Sequence, residues 1–226
     1  MRKGRWLIAL IIVAALLAAG LTYFRREVAV AAGLAPAPFS EAAFEDWIEQ
    51  DVERLADFTA FSQYLSEQGV DDVVPVWQLT RTDDNTSRLC ERPEFLIPPS
   101  DDWHRIVPVL KLVRDHIVPE IGPVEVASSY RTTDFNDCMG GASRSKHLGF
   151  AALDMRAIDK IENRELFLRL CAVQRRLGPA SSMGLGAYFD PDKPDKGSGR
   201  FHVDVSGYRS WGFSQRSGSS GCRVFQ

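Results

Sequence analysis

Hydrophobic and polar positions along the chain fall into three textures. From Trp6 to Phe24 runs an uncharged, apolar stretch of 19 residues, preceded by Arg2, Lys3 and Arg5 and followed by Arg25 and Arg26. As a helix it is roughly 28 Å long at about 1.5 Å per residue, close to the hydrocarbon thickness of a bilayer. The pattern predicts a transmembrane anchor over 6–24 and a cytoplasmic tip over 1–5, since the heavier basic cluster precedes the run. A small, Pro-containing linker follows over 25–39. Ala29-Val30-Ala31 resembles a cleavage site, but Arg25, Arg26 and Glu27 separate it from the apolar run. That run also exceeds the roughly 7 to 15 residues of a signal-peptide core, so the segment is expected to be retained. Residues 40–226 then form a periplasmic or otherwise extracytoplasmic domain of a single-pass protein of the cytoplasmic membrane.

The second texture is helical. Ser40 caps a stripe of Phe44, Trp47, Ile48, Val52 and Leu55, and a further helix is expected over 58–68 before Gly69. Val73 to Leu79 is β-branched and apolar and reads as a strand. Pro99-Ser100-Asp101-Asp102 opens a helix with Ile106, Leu110, Val113 and Ile117 on one stripe, stopped at Gly122-Pro123.

From Pro123 the texture changes to short strands: 124–130, 150–155, 183–188 and 200–205, with one helix over 162–177 among them. A long polar loop spans Arg131 to Lys146, and 190–199 is a connection rich in turn formers. Helices first and short strands later predict an α+β fold, a small antiparallel sheet with flanking helices. The Ser/Gly-rich tail 214–221 reads as loose up to Cys222.

Composition narrows the function. The net charge is −3 and no Lys/Arg-rich block follows the N-terminus, so no nucleic-acid partner is expected. Cys90, Cys138, Cys171 and Cys222 are an even set without a C-x-x-C pair, which in an oxidising compartment points to two structural disulfides. Three pairings are possible. Cys90–Cys138 with Cys171–Cys222 is preferred because Cys222, near the C-terminus, would staple the tail.

Of four histidines, His104 and His116 lie on the 102–117 helix in ordinary contexts. His147 and His202 instead each stand near an aspartate at a strand edge, Asp154 and Asp204. The spacing of His147 and Asp154 does not make a metal site by itself. Seven residues of helix rise about 10.5 Å, while two donors on one tetrahedral zinc are only about 3.3 Å apart. A turn must intervene, and Gly149 is the residue that can make it.

An ordered series of short motifs adds to this reading: Val124-Glu-Val-Ala-Ser-Ser-Tyr-Arg131, Asn136, Gly140-Gly-Ala142, Ser145-Lys-His147, Ala152-Leu-Asp154, Gly184-Leu-Gly-Ala-Tyr188, Phe201-His-Val-Asp204 and Arg209-Ser-Trp211. The series, over about residues 70–212, resembles the zinc D-Ala-D-Ala carboxypeptidase family, which includes vancomycin-resistance dipeptidases, endolysin endopeptidases and hedgehog-like domains. The resemblance implies a hedgehog/DD-peptidase-like domain holding one Zn²⁺ per chain through His147, Asp154 and His202, with peptidoglycan peptides as partners. It assigns Arg131 to substrate binding or oxyanion stabilisation; beside it, Ser145 is expected to hydrogen-bond within its loop and Tyr188 to line the cleft, both as substrate-binding residues. The family pattern S-x-H-x-x-G-x-A-x-D is kept except that Phe150 stands at the glycine. The Glu or His that relatives place just before the last zinc histidine is also missing, since Gly199-Arg200-Phe201 precedes His202. Asp204 is the available carboxylate, either contacting the attacking water or orienting His202. The expected activity is hydrolysis of peptidoglycan stem peptides or cross-links. The alternative is a catalytically degenerate domain that binds wall peptides.

Overall fold

The computed structural model describes residues 25, 28–33, 35–84, 90, 93–190 and 199–224. The anchor expected over 6–24 lies outside the described residues, and no described helix is long and apolar enough to cross a membrane. Contacts divide the chain into Met1–Ala43 and Phe44–Gln226. In the first unit Ser40 Oγ accepts from Ala43 N at 3.2 Å, the expected cap.

Helices α1 (Glu41–Glu49) and α2 (Val52–Glu67) divide earlier than the hydrophobic stripe suggested. Asp51 is the reason: its carboxylate accepts from Glu53 N and Arg54 N at 3.0 and 3.1 Å, capping a new helix in the middle of the apolar pattern. Helix α3 (Trp103–Leu112) passes through a π turn (Val113–Ile117) into the short α4 (Val118–Ile121). Pro119 has no N–H for a helical bond and crowds the preceding turn, which suits a local change of helix type. The predicted stripe is intact, with Ile106, Leu110, Val113 and Ile117 all fully buried.

Strands β1 (Val124–Ser128), β2 (Ala152–Ala157), β3 (Gly184–Ala187), β4 (Phe201–Asp204) and β5 (Arg209–Trp211) form one sheet in the order β1-β2-β4-β3-β5. Helices α5 (Thr133–Cys138) and α6 (Asn163–Leu177) interrupt them in sequence, and α7 (Gly221–Val224) follows. The sheet is mixed rather than antiparallel, because β5 runs parallel to β3. The chain reverses over 205–208 and passes to the far side of β3, so β5 runs antiparallel to β4 and parallel to β3, and the tail then packs on it. Ser220 Oγ donates to Ser210 Oγ at 2.7 Å, and a Cβ on Gly212 would come within 1.8 Å of Ser219 O.

One sheet face carries Leu153, Met155, Leu185, Ala187, Phe201 and Val203, all in the core that α3 and α6 cover. The segment 76–80 is a 3₁₀ helix, not the expected strand. Pro75 fixes its entry, and Gln78 turns its side chain to the outer edge of β1, where Oε1 accepts from Val126 N at 2.9 Å. Residues 78–84 thereby cover the open edge of the sheet. Arg81 Nη1 donates to Val126 O at 2.7 Å and Asp84 N to Ala127 O at 3.3 Å.

Candidate metal centre

The second sheet face is polar, and its register explains how distant residues meet. Asp154 on β2 pairs with His202 on β4, His202 with Gly186 on β3, and Gly186 with Trp211 on β5. One row across the sheet therefore places a carboxylate, an imidazole and an indole side by side. Gly186 is required there: a Cβ would lie 2.2 Å from the Trp211 ring. The next row on the same face is Ala152, Asp204, Gly184 and Arg209. A Cβ on Gly184 would meet Asp204 Oδ2 at 2.5 Å.

His147 comes from the 3₁₀ turn Lys146–Gly149, and the chain reverses into β2 at Phe150, whose φ of 50° and ψ of 40° are left-handed. The turn maker is thus Phe150 and not Gly149, whose bare Cα instead leaves room for Arg105 Nη1. A left-handed backbone costs a non-glycine residue about 1–2 kcal/mol. The Phe150 ring is fully buried, 5.8 Å from that of Phe61, and such burial stabilises by about 1.5–3 kcal/mol. The larger gain explains how phenylalanine stands where the resemblance places glycine.

His147 Nε2, Asp154 Oδ1 and His202 Nδ1 converge, with separations of 3.1, 3.1 and 2.8 Å. Partners behind each ring set its tautomer. His147 Nδ1 donates to the Ser129 carbonyl at 2.5 Å, and His202 Nε2 donates to Asp204 Oδ2 at 2.9 Å. With those protons placed, His147 Nε2 turns a lone pair toward Asp154 Oδ1, and His202 Nδ1 does so when its ring is neutral. Three such acceptors about 3 Å apart repel unless something positive lies between them, a proton on His202 Nδ1 or a metal ion. Donors of one tetrahedral metal are about 3.3 Å apart, so the group fits a metal ion with little movement. Burial, with the charge of Arg131, pushes His147 down to about 4 and keeps it neutral. For His202 burial acts in the same direction, but hydrogen bonds to Asp154 and Asp204 outweigh it and raise its value.

Asp204 is fully buried, and both of its oxygens are engaged. Oδ2 accepts from His202 Nε2, Arg209 Nη2 donates to it at 2.7 Å, and Oδ1 accepts from Ser206 N at 2.7 Å. It touches His202 on the edge of the ring opposite the cluster, the position of a residue that orients a ligand. Burial would raise its pKa, but the hydrogen bonds from His202 and Arg209 hold it down to about 2.

The other oxygen of Asp154 receives Arg131 Nη2 at 2.7 Å and Arg200 Nη2 at 2.6 Å. Burial would also raise the Asp154 pKa, but His147 and Arg200 draw it far below the ordinary carboxylate value. Asp83, fully buried, closes the network, accepting from Arg200 Nη1 at 3.1 Å and Arg131 Nη2 at 3.3 Å. The sequence did not point to Asp83 or Arg200: the first lies past the expected strand, where the pattern predicts no element, and the second registered only as the absence of a base. Their 117-residue separation leaves no local signal.

The cluster opens into a cavity of about 1080 Å³ lined by Arg131, Ser145 and Tyr188 as well as by His147 and His202. Arg131 lines it while locked to Ser128 Oγ at 3.1 Å and to both aspartates. Tyr188 stacks under Arg200 at 5.3 Å, and burial and the Asp154 charge raise its pKa. Ser145 N closes a turn onto Ala142 O at 2.9 Å, and its own carbonyl accepts from Leu148 N. His104 is exposed and His116 half-buried, neither in the cluster. The disulfides are Cys90–Cys138 and Cys171–Cys222.

No curated protein and no solved structure matches the chain. Residues 79–184 match the family model described as Peptidase M15, a stretch that takes in Asp83, Arg131, Ser145, His147 and Asp154 and ends before His202. That match, laid over two of the three converging residues, supports a metallopeptidase of the M15 family.

Proposed function

We propose that the protein is a zinc-dependent peptidase acting on peptidoglycan stem peptides or cross-links, of D-Ala-D-Ala carboxypeptidase or endopeptidase type, held at the membrane by residues 6–24. One observation carries the reading: three acceptor atoms, two of them fixed in tautomer by partners behind the rings, converge at the floor of an open cavity. Three protein donors, two of them lining a cavity, is the arrangement of catalytic rather than structural zinc. His147, Asp154 and His202 would hold a zinc ion, which would supply Lewis acidity at the scissile carbonyl and a bound water acidic enough to react near neutral pH. Arg131 and Arg200 hold Asp154 ionised and pointed at the cluster, and Asp204 holds the His202 ring. Arg131 also presents its guanidinium to the cavity, where developing negative charge is stabilised.

Purified protein is expected to bind about one zinc and to release amino acid, dipeptide or cleaved cross-links from muropeptides, as read by mass spectrometry. His147→Ala is expected to lose both properties. Undiminished turnover in that variant would remove the mechanism.

A second reading, a binding domain without turnover, is favoured by one feature. Among the described residues lining the cavity Asp83 is the single carboxylate outside the cluster, and two arginines hold it. Zinc uptake and muropeptide binding without any cleavage product would establish that alternative.

A further inference from the structure

Charge accounting across the cavity points to its ligand. Arg131 and Arg200 are matched by Asp83 and Asp154, and Arg209 by Asp204, whose oxygens it reaches at 3.0 and 2.7 Å. Three arginines thus meet three aspartates. Arg144 and Lys146 also line the cavity, and neither forms an ion pair or side-chain hydrogen bond with any described residue. They stand on either side of Ser145, in the segment that runs into His147.

The loop that presents them is fixed. Ala142 O accepts from Ser145 N at 2.9 Å and from Asn136 Nδ2 at 3.1 Å, so both ends of the turn are tied. Gly141 lies so close over Asn136 that a Cβ would come within 2.2 Å of Asn136 Oδ1. Cys138, two residues beyond Asn136, is bonded to Cys90. Ser206, Ser210, Gln215 and Ser217 also line the cavity and carry no charge, and Arg209 among them is paired with Asp204.

We propose that Arg144 and Lys146 form a recognition site for a carboxylate of the substrate, beside the metal cluster, so that the peptides bound are anionic ones. This inference rests on the peptidase reading for the position of the scissile bond, and on the cavity alone for the binding preference. Two cationic groups without a described partner in the lining of a concave site focus negative charge into it, and a guanidinium binds a carboxylate in a bidentate fork. The carboxylate can be the free C-terminus of a peptide or an acidic side chain.

The test titrates the full-length, zinc-supplemented protein in detergent by calorimetry with three short peptides of equal length. One has a free C-terminus and neutral side chains, one has an amidated C-terminus and one acidic side chain, and one has neither charge. The protein is expected to bind at least one anionic peptide about tenfold more tightly than the uncharged one, in keeping with hydrogen bonds to charged groups, and the arm that shows it names the source. In the Arg144→Gln, Lys146→Gln double variant the preference is expected to fall below about threefold with zinc content unchanged. Equal binding of all three peptides, binding of none, or a preference that survives the double substitution overturns the proposal. Overnight incubation of the same mixtures, read by mass spectrometry, keeps the two readings apart. Anionic preference without cleavage sinks the hydrolase and leaves the carboxylate site, and cleavage without preference does the reverse.

Discussion

The metal cluster and the cavity in front of it are built by different means. Asp154 and His202 sit opposite each other on paired strands, and His147 is tied to the Ser129 carbonyl beside β1, so ladder register and buried hydrogen bonds place the donors. Beyond strands β4 and β5, much of the cavity lining is loop. One loop, Met139 to Lys146, follows Cys138, and the other, Gln215 to Ser217, precedes Cys222, so each wall is adjacent to a disulfide. The donors are held by packing that forms only in the folded sheet, whereas the walls are held by bonds that a reductant can cut. Metal affinity and ligand affinity should therefore be separable.

The largest expected effect is on the first region. Asp83→Ala leaves two buried guanidiniums sharing Asp154, with Asp84 Oδ1 3.8 Å from Arg200 Nη1, and is expected to cost about 3–5 kcal/mol. The melting temperature should fall by roughly 2–4 °C per kcal/mol for a domain of this size. A melting curve indistinguishable from the parent protein would show that the Asp83 network carries no stability.

Opening Cys90–Cys138 by a double Cys→Ser substitution is expected to cost about 2–4 kcal/mol. At a temperature where the variant remains folded, it should weaken muropeptide binding and leave zinc stoichiometry near one. Parallel loss of zinc, measured by elemental analysis, would erase the distinction between cluster and walls.

Asp204→Asn keeps the shape behind His202 but removes the charge that accepts its Nε2–H. Zinc affinity is expected to drop about 10- to 100-fold, the usual cost of losing such a partner. Competition with a zinc indicator measures it, and unchanged affinity would return Asp204 to the other role that the sequence allowed.

The smallest effect isolates the turn. Phe150→Gly and Phe150→Ala both leave a hole beside Phe61, but only glycine relaxes at a φ of 50°. The glycine variant is expected to be the more stable of the two by about 1 kcal/mol in denaturant titrations. The reverse order would mean that this backbone is unstrained.

Much of the site was legible because its residues come in short, ordered strings: His147 with Asp154, and His202 with Asp204. Two-residue alternation on β4 put His202 and Asp204 on one face without any structure. The rest depended on long-range geometry. Asp83 and Arg200 meet only because residues 78–84 run along the edge of β1. Val73 to Leu79 has a strand's composition, yet Pro75 and the reach of Gln78 make its end a 3₁₀ turn. Asp51 showed the opposite failure. It is a local cap signal, hidden inside an apolar stripe that invited a continuous helix. The direction of β5 follows from a reversal after β4 that carries the chain past β3, a sheet order that no periodicity encodes.

Trp211 crosses the space left by Gly186 until its ring centroid is 5.0 Å from that of His202. Among the described tryptophans it is the one whose ring meets a cluster imidazole. An indole so placed is an optical reporter installed by the fold. Its fluorescence should respond when His202 changes its bonding partner, and subtracting the spectrum of a Trp211→Phe variant isolates that signal from the other four tryptophans of the chain.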